Sequence, residues 1–307
     1  MSNINMNWKP SKNRNISGLR MLLQYGYTPN TPGRYFEDAL KASGVVVDRK
    51  DQGVHYDLGM WVESPSRPMV SINYDRLPRP FVCWIHHGQN RLIRNQAIIG
   101  KIKPDYILMS HSLHLAPKLD GNVSFFPFGW DPIYNNGGIK WADRQYLVGF
   151  VGSGMRVSDY SRRRQCVATA AATAKQLKSK SIITQHVFRE AMAAIYRDCK
   201  IVLNPVHNTI KSVNMRIWEA MGCGALVLSH RAPEQESLFV DGVHYLLFDT
   251  PQELVNKMNW VRANSMKAAN IAANGNRLVM TQHAYTHRVQ LLFDLLAKIG
   301  FDLEVKA

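Results

Sequence analysis

The stretch "NMRIWEAMGCGALVLSH", residues 214–230, decides the fold class of this 307-residue chain. It places Arg216 and Glu219 three positions apart, and therefore on one face of a short helix. Gly222 and Gly224 then end that helix. The apolar run "GALVLSH" follows as a buried strand. A helix, a glycine turn and a strand in this order are typical of a parallel α/β sheet.

Short apolar runs alternate with helical segments along the rest of the chain. In the first half, strands are predicted at "LRMLLQYGY", "VVVDRK", "YDLGMWVE", "PFVCWIHH", "DYILMSHS" and "VSFFPFG". In the second half they are predicted at "YLVGFVGSG", "KIVLNPV", "GALVLSH" and "HYLLFDT", and a helix begins after Thr250 with Pro251. The pattern predicts an α/β protein made of two doubly wound domains.

A polar segment with two glycines, "DPIYNNGGIKWADRQ", has the composition of a linker between the two halves. We expect a flexible N-terminal arm over 1–17 and a first Rossmann-like domain over 18–140. A second Rossmann-like domain covers 141–282, and a helix with its tail covers 283–307. Apolar residues make up 46% of the sequence, which is sufficient for two cores.

The cysteine pattern and the polar N-terminus predict a soluble, cytoplasmic protein, in the host cytoplasm if a phage encodes it. No CxxC spacing occurs, so the four cysteines are expected to be reduced and buried. The first residues lack the apolar segment of a signal peptide, and no run approaches the ~18 apolar residues of a membrane span.

The chain is strongly basic, with 38 Lys and Arg against 23 Asp and Glu, a net charge of +15. Six basic residues and no acid lie between Arg76 and Lys103, and seven basic residues and no acid lie between Tyr160 and Arg189. Such an excess attracts polyanions, including nucleic acid. It is equally explained as a solvated surface, and both interpretations stay open.

Ligands of open α/β sheets bind beyond the carboxyl ends of the strands, so the residues there are the candidate site. A glycine-rich turn after the strand at 146–151 allows backbone amides to approach an anion, although a plain strand-to-helix turn has the same composition. The candidates from this turn and the next strand are Gly152, Ser153, Gly154, Arg156 and Asn204. The triplet Arg162 to Arg164 either contacts the same anion or forms a solvated helix face.

The second half resembles the nucleotide-sugar glycosyltransferases of the GT-B architecture, most closely the spore maturation (CgeB-like) group. The matching segments are "VGFVGSGMR", "IYRDCKIVLNPV", "NMRIWEAMGCGALVLSH", "ESLFVDGVHYLLFDTPQELVNKM" and "HAYTHRVQLLF". The first half is similar through "YFEDALKASG", "KPDYILMSH" and "FFPFGWDP". The resemblance implies that the domain over 18–140 binds the acceptor, that the domain over 141–282 binds the donor, and that the two face a cleft. It also implies that the C-terminal helix over 283–307, containing His283 and Arg288, crosses back to the first domain.

The resemblance also implies a nucleotide-sugar co-substrate, a UDP-sugar above all, and no tightly bound cofactor. Glu219 stands where the family has a Glu that accepts hydrogen bonds from the ribose hydroxyls of the donor. The family's second Glu, eight positions earlier, is Lys211 here, so Asn214 or another residue would orient the hexose. Arg216 is either a diphosphate contact or a partner that fixes the Glu219 carboxylate.

The chemistry requires stabilisation of a diphosphate leaving group. The chain has no Asp-x-Asp, which favours a metal-independent reaction in which Arg156 and the backbone around Ser153 supply positive charge. His86 and His87, at the end of a predicted strand, are candidate general bases because imidazole titrates near neutral pH. Structural histidines are also common, and a retaining reaction needs no dedicated base.

Three functions remain open on the sequence alone. The first is a glycosyltransferase (EC 2.4) that acts on a glycan, a protein or a small molecule. The second is a phage-type DNA glycosyltransferase that modifies bases, with Trp84 and Trp130 as candidate stacking residues besides their usual role in cores. The third is a degenerate nucleotide-binding scaffold protein, suggested by Lys211 in place of an acid.

Overall fold

The structure is a computed structural model that describes residues 4, 6–26, 28, 30–63, 74–86, 88–152, 161–207 and 212–305. The chain forms two compact units. Unit 1 comprises Met1–Gly129 and Tyr285–Ala307, and unit 2 comprises Trp130–Ala284.

Unit 1 is built on a sheet of six parallel strands in the order β2-β1-β3-β4-β5-β6. All six strands were predicted. Apolar side chains fill the inner strands, as is usual for parallel sheets covered on both faces. The strands are β1 (Arg20–Tyr25), β2 (Val46–Asp48), β3 (Leu58–Val62), β4 (Phe81–Ile85), β5 (Tyr106–Met109) and β6 (Val123–Phe125).

The main helices of unit 1 are α1 (Pro32–Ala42), α2 (Gly88–Ile102) and α8 (Tyr285–Ala297). The Thr31 side chain caps α1 by accepting a hydrogen bond from the Arg34 amide at 3.3 Å. Helix α8 packs on α1, where the rings of Tyr35 and Tyr285 lie 5.8 Å apart. The last helix therefore belongs with the first half of the chain, as the resemblance implied.

The described part of the segment 1–17 is packed on unit 1, which corrects the expectation of a flexible arm there. Ser11 Oγ donates to Asp294 Oδ2 at 2.9 Å, and Arg14 Nε donates to Asp294 Oδ1 at 3.1 Å. Trp8 is buried, with the guanidinium of Arg288 5.4 Å from its ring centroid. An aromatic side chain and an ion pair hold a segment whose polar composition had suggested mobility.

Unit 2 contains a sheet of five parallel strands in the order β11-β10-β9-β7-β8. The chain winds outward from β7 to β8, and then returns to the other side of β7 to form β9. The order of winding therefore reverses between β7 and β9. The strands are β7 (Tyr146–Val151), β8 (Lys180–Thr184), β9 (Cys199–Asn204), β10 (Leu226–His230) and β11 (Leu246–Phe248).

Five α-helices are described in unit 2, and a core of apolar side chains lies under several of them. Phe150, Leu203, Leu226 and Leu254 are members of this core. Thr250 caps α6 by accepting from the Glu253 amide at 3.1 Å, at the start that the sequence predicted. The helices are α3 (Ser161–Gln176), α4 (Arg189–Arg197), α5 (Arg216–Gly222), α6 (Pro251–Ala263) and α7 (Ser265–Gln282).

The boundary between the units lies at Gly129 and Trp130, not between 140 and 141. The Trp130 amide donates to the His283 carbonyl at 2.6 Å. Arg197 Nε donates to the Asn135 carbonyl at 2.6 Å. Contacts to distant parts of unit 2 thus fix a segment whose Asn and Gly content had indicated a linker.

The prediction of buried, reduced cysteines is confirmed. All four thiols are free and buried: Cys83, Cys166, Cys199 and Cys223. Among the helices of the described ranges, none is long and apolar enough to cross a membrane.

Candidate functional site

The carboxyl ends of β7 and β9 form the candidate site of unit 2. The strand order reverses at this point, and in open α/β sheets the crevice at such a reversal is where ligands bind. Gly152 follows β7, and its amide donates to the Thr184 carbonyl at 3.1 Å. Asn204 is the last residue of β9. Both were candidates from the sequence, and the fold brings them to the same edge of the sheet.

The side chain of Arg216, the first residue of α5, bridges these two strand ends. Its Nε and Nη2 donate to the Val151 carbonyl at 3.3 and 3.0 Å. Its Nη1 donates to Asn204 Oδ1 at 3.2 Å. Its guanidinium carbon lies 4.8 Å from the ring centroid of Phe150. Because both acceptors are neutral, the positive charge of Arg216 is held in place without being neutralised.

Gly152 is required by the packing of Arg216. A Cβ at this position would lie 2.9 Å from Arg216 Nη2 and 2.6 Å from Cζ of Phe150. Both distances are shorter than a carbon atom tolerates, so a larger residue would displace the guanidinium. From the sequence, we expected Gly152 to let backbone amides approach an anion. The sequence did not reveal that Gly152 packs against Arg216 and Phe150.

A buried chain of hydrogen bonds continues from Arg216 along the sheet edge. Asn204 Nδ2 donates to Ser229 Oγ at 2.9 Å, and Gln235 Nε2 donates to the same oxygen at 3.1 Å. The amide of Asn204 is therefore oriented with its oxygen toward Arg216. Beside Ser229, His230 Nδ1 accepts from the Val206 amide at 3.3 Å. The sequence analysis identified Asn204 but missed Ser229, His230 and Gln235, although Ser229 and His230 end a strand that it had predicted.

Glu219 is the fourth residue of α5, and its carboxyl group is buried. Burial raises the pKa of Glu219 to about 7; Arg216 opposes the rise and Asp131 adds to it. No ion pair joins Glu219 to Arg216 in the part of the chain that the structure describes. The alternative in which Arg216 fixes the Glu219 carboxylate directly is therefore not the observed arrangement.

Both ends of α5 are held by polar contacts. At its start, Asn214 Oδ1 accepts from the Arg216 amide at 3.1 Å, so this candidate side chain is engaged within the loop before the helix. At its end, Asn276 Nδ2 donates to the carbonyls of Met221 and Gly222 at 2.9 and 2.7 Å. These bonds satisfy carbonyls that a helix end leaves without partners, and they fix the helix that carries Arg216 and Glu219.

Two arginines in the first turn of α3 add positive charge near β7. The guanidinium of Arg163 lies 6.0 Å from the Phe150 ring that Arg216 also covers. Arg162 Nη2 donates to the Asp249 carbonyl at 3.2 Å. The N-terminus of a helix carries partial positive charge, which adds to the charge of the two arginines. An anion bound beside them would therefore be stabilised. Both side chains contact the protein at a partly exposed face of α3.

His86 lies at the carboxyl end of β4 in unit 1, as predicted, and it is buried. Its amide donates to Glu63 Oε2 at 2.8 Å. Burial, with a smaller contribution from His111, lowers the pKa of His86 to about 3. Burial likewise lowers the pKa of His111 to about 4. Both imidazoles are neutral at physiological pH, and a pKa this low makes His86 a weak proton acceptor.

Several candidates lie outside the described residues: His87, Ser153, Gly154, Arg156 and Lys211. Within the described ranges, no group of three or more His, Cys, Asp or Glu side chains is placed to hold a metal ion.

The two tryptophans considered for base stacking are buried. Trp84 Nε1 donates to Ser110 Oγ at 2.7 Å within the core of unit 1. Trp130 Nε1 donates to the Tyr134 carbonyl at 2.7 Å. A buried ring has no free face for a displaced base, so the stacking role is wrong for both and their role is core packing.

Comparisons with known proteins give matches to glycosyltransferases. Residues 151–294 match the model of a family described as "Glycosyl transferase-like". HepE from Anabaena, solved in complex with UDP-glucose, has a TM-score of 0.63 at 15% identity, over 91% of this chain and 99% of that chain. A comparison with curated proteins gives no match.

Two further solved structures have the same architecture. Sucrose-phosphate synthase from Thermosynechococcus elongatus has a TM-score of 0.62 at 12% identity, over 92% of this chain and 99% of that chain. A glycosyltransferase from Rickettsia africae has a TM-score of 0.57 at 9% identity, over 92% and 97% of the two chains. The chain therefore has the GT-B fold, and residues 151–294 are similar to the glycosyl transferase-like family.

Proposed function

We propose that this protein is a glycosyltransferase that uses a nucleotide-sugar donor, a UDP-sugar, bound at the carboxyl edge of unit 2. The observation that carries the proposal is the pair on α5. Arg216 is a positively charged side chain fixed across the strand reversal by neutral acceptors. Glu219 is a buried carboxyl group one turn further along the same helix. The UDP-glucose bound to HepE, a protein of the same fold, supports this donor class.

Each member of the pair has a role in the proposed reaction. The Glu219 carboxylate accepts hydrogen bonds from the ribose hydroxyls. When the bond from the anomeric carbon to the diphosphate breaks, negative charge develops on the diphosphate oxygens. Arg216 stabilises that charge, with Arg163 nearby, and both are in place before the reaction begins. Ser153, Gly154 and Arg156 remain proposed diphosphate contacts from their place after β7, and Lys211 and Asn214 remain proposed sugar contacts from the resemblance.

The same proposal also covers the family group, the cellular compartment, the metal requirement, the acceptor and the general base. We place the protein in the CgeB-like group on the five matching segments of its second half. Its free, buried thiols favour the cytoplasm. The arginines at the sheet edge supply the charge that a metal ion would otherwise supply, which supports a metal-independent reaction. The acceptor is a glycan, a protein or a small molecule. Of the two candidate bases for an inverting reaction, we retain His87, because His86 is buried and its pKa is lowered to about 3. A retaining reaction would need neither.

Hydrolysis of a panel of UDP- and GDP-sugars by the purified protein tests the proposal. Slow release of UDP from one UDP-sugar is the expected result, and loss of that release in Arg216→Lys would assign it to this site. Nucleotide binding without hydrolysis or transfer would indicate the degenerate scaffold instead. No binding of any nucleotide sugar would reject both.

A second candidate function, transfer to nucleic acid, is favoured by the net charge of +15. Contacts to phosphates release counterions and make binding strongly dependent on salt. Gel-shift titration against duplex and single-stranded DNA, at ~50 and ~200 mM salt, tests this candidate. A complex that weakens by orders of magnitude at the higher salt supports it, and the absence of a complex at the lower salt removes it.

A further inference from the structure

The hydrogen bonds behind Arg216 form a chain in which each bond has a fixed direction. The chain starts at the Ala232 amide, which donates to Gln235 Oε1 at 3.0 Å. A backbone N–H can only donate, so it sets the orientation of the Gln235 side chain. The other end of this side chain is then a donor, and its Nε2 donates to Ser229 Oγ at 3.1 Å.

Ser229 is the residue at which the chain turns toward the strand reversal. Its Oγ also accepts from Asn204 Nδ2, at 2.9 Å. Its own proton is directed to the His230 carbonyl at 2.8 Å, since the Asn204 carbonyl lies further away, at 3.5 Å. A hydroxyl has one proton and two lone pairs, so these three bonds use its whole capacity. The Asn204 group that faces Ser229 must therefore be a donor.

The same orientation of Asn204 follows from its other neighbour. A guanidinium has only donors, so the Asn204 atom that faces Arg216 Nη1 at 3.2 Å is the oxygen Oδ1. A flipped amide would set donor against donor there. Asn204, Ser229 and Gln235 are each at most 1% exposed, so bulk water does not replace a lost partner.

Asn204 fixes the plane of the Arg216 guanidinium. Nε and Nη2 of Arg216 both donate to one atom, the Val151 carbonyl oxygen, at 3.3 and 3.0 Å. Two bonds to a single acceptor atom let the guanidinium pivot about that atom. The bond from Nη1 to Asn204 Oδ1 supplies a second acceptor and stops the pivot. The orientation of this cation therefore depends on an amide whose direction Ser229 sets.

We propose that Ser229, supported by Gln235, is a positioning residue for the transfer reaction. It holds the Asn204 amide oxygen toward Arg216, and so keeps the guanidinium in the orientation that meets the leaving diphosphate. Ser229 acts only through these two side chains. The catalytic consequence rests on the proposed function, in which Arg216 stabilises charge that develops in the transition state. The fixed orientation of Arg216 does not rest on it.

Kinetics of UDP-sugar hydrolysis test the catalytic part. Ser229→Ala should lower kcat by about tenfold or more, because a misdirected cation stabilises the transition state less. KM for the donor should change by less than about threefold, since the ribose contact of Glu219 is untouched. A change confined to KM, with kcat preserved, would overturn the proposal.

A second measurement reads Arg216 directly and needs no turnover. In the full chain with isotope-labelled arginine, the Nε–H magnetic resonance signal of Arg216 is assigned by its absence from Arg216→Lys. Ser229→Ala should shift or broaden this signal, because the guanidinium gains freedom to pivot. Gln235→Ala should have a smaller effect of the same kind, since Asn204 keeps its bond to Ser229. An unchanged Arg216 signal in Ser229→Ala would overturn the proposal.

The matched control is Ser124→Ala in β6 of unit 1. Ser124 is also fully buried in a strand, and its Oγ lies 2.8 Å from the Tyr106 hydroxyl. The control should lose stability in urea unfolding as Ser229→Ala does, while kcat and the Arg216 signal stay as in the wild type. Equal loss of kcat in the two variants would show a general effect of stability and overturn the proposal. If no nucleotide sugar is hydrolysed, the proposed function fails, and the Arg216 signal alone decides whether Ser229 orients this side chain.

Discussion

Glu219 shows at the scale of one residue how burial sets chemistry. Burial raises its pKa in the folded protein to about 7, from an ordinary value of 4.5. Between these two pH values the unfolded chain has released the proton and the folded chain retains it. The stabilisation from the neutral carboxyl group is thus fully present below about pH 4.5 and is lost as the pH rises through about 7.

The variant Glu219→Gln removes this dependence, because an amide stays neutral. Between pH 5 and pH 8, the free energy of unfolding of the wild type should fall relative to that of the variant by about 2 to 3 kcal/mol. Urea unfolding of both proteins at the two pH values measures the difference. The same stability difference at both pH values would mean that Glu219 ionises normally in the folded state.

Donor binding should show the opposite dependence on pH. Ribose hydroxyls donate best to the ionised carboxylate, whose fraction rises from about one tenth at pH 6 to about nine tenths at pH 8. UDP-glucose has no ionisation of its own in this range. Its affinity for the wild type should therefore rise about tenfold between these values, and its affinity for Glu219→Gln should stay flat. Parallel pH profiles for the two proteins would contradict the assignment.

The sequence identified Arg216 and Glu219 but not how they act. The spacing of three residues placed them on one face, and it left open whether Arg216 fixes the Glu219 carboxylate or contacts the diphosphate. The structure instead directs Arg216 to Val151 and Asn204, because the strand reversal brings two neutral oxygens within reach. A contact that depends on strand order cannot be read from helical periodicity.

At the scale of an element, α5 is held at close range by its neighbours. A Cβ on Gly222 would lie 2.1 Å from Nε1 of Trp130 and 2.2 Å from the Tyr134 carbonyl oxygen. Backbone and a buried indole cannot give way cheaply. Gly222→Ala should therefore cost at least about 2 kcal/mol of stability.

Gly100→Ala is the matched control, since a Cβ there meets nothing within 4 Å and the position is a helical one in α2. It should stabilise the protein by about 0.5 to 1 kcal/mol, the usual gain of Ala over Gly in a helix. Chemical denaturation of both variants gives the comparison. A Gly222→Ala protein as stable as the wild type would show that α5 is free to shift.

Most of the strands that the sequence predicted are buried and apolar, and β8, which it did not predict, is neither. Lys180–Thr184 is exposed or half-buried along its whole length, and it lies at one edge of its sheet. Its sequence, KSIIT, therefore carries little apolar signal. β8 forms by pairing with β7. Such pairing depends on residues far along the chain, so the sequence of β8 itself does not reveal it.

At the scale of the whole molecule, the polar composition of the first residues and of 132–145 misled the domain boundaries. Side chains far along the chain hold these segments: Asp294 binds Ser11, and Arg197 binds the Asn135 carbonyl. Composition indicates whether a segment would be ordered in isolation, whereas these contacts form only when the whole chain has folded. The two doubly wound sheets were predictable because their strands carry the signal locally.

The charge arrangement of the molecule predicts the response to chelation. Arg162, Arg163 and Arg216 stand at the edge of unit 2 where a leaving diphosphate would lie. Release of UDP from the donor should therefore continue in EDTA at more than about half of its untreated rate. Assays with and without the chelator check this, with a known Mn²⁺-dependent glycosyltransferase as the control. Complete loss of activity, restored by Mn²⁺, would contradict the metal-independent assignment.

The central claim is that Glu219 binds the ribose of a UDP-sugar, and one calorimetric comparison tests it most directly. UDP and 2′,3′-dideoxy-UDP are titrated into the wild type and into Glu219→Ala, with circular dichroism to verify the fold. The account predicts that the variant loses about 1.5 to 3 kcal/mol of UDP affinity and no longer distinguishes the two nucleotides. Equal UDP affinity in the two folded proteins, or undiminished discrimination by the variant, would contradict it.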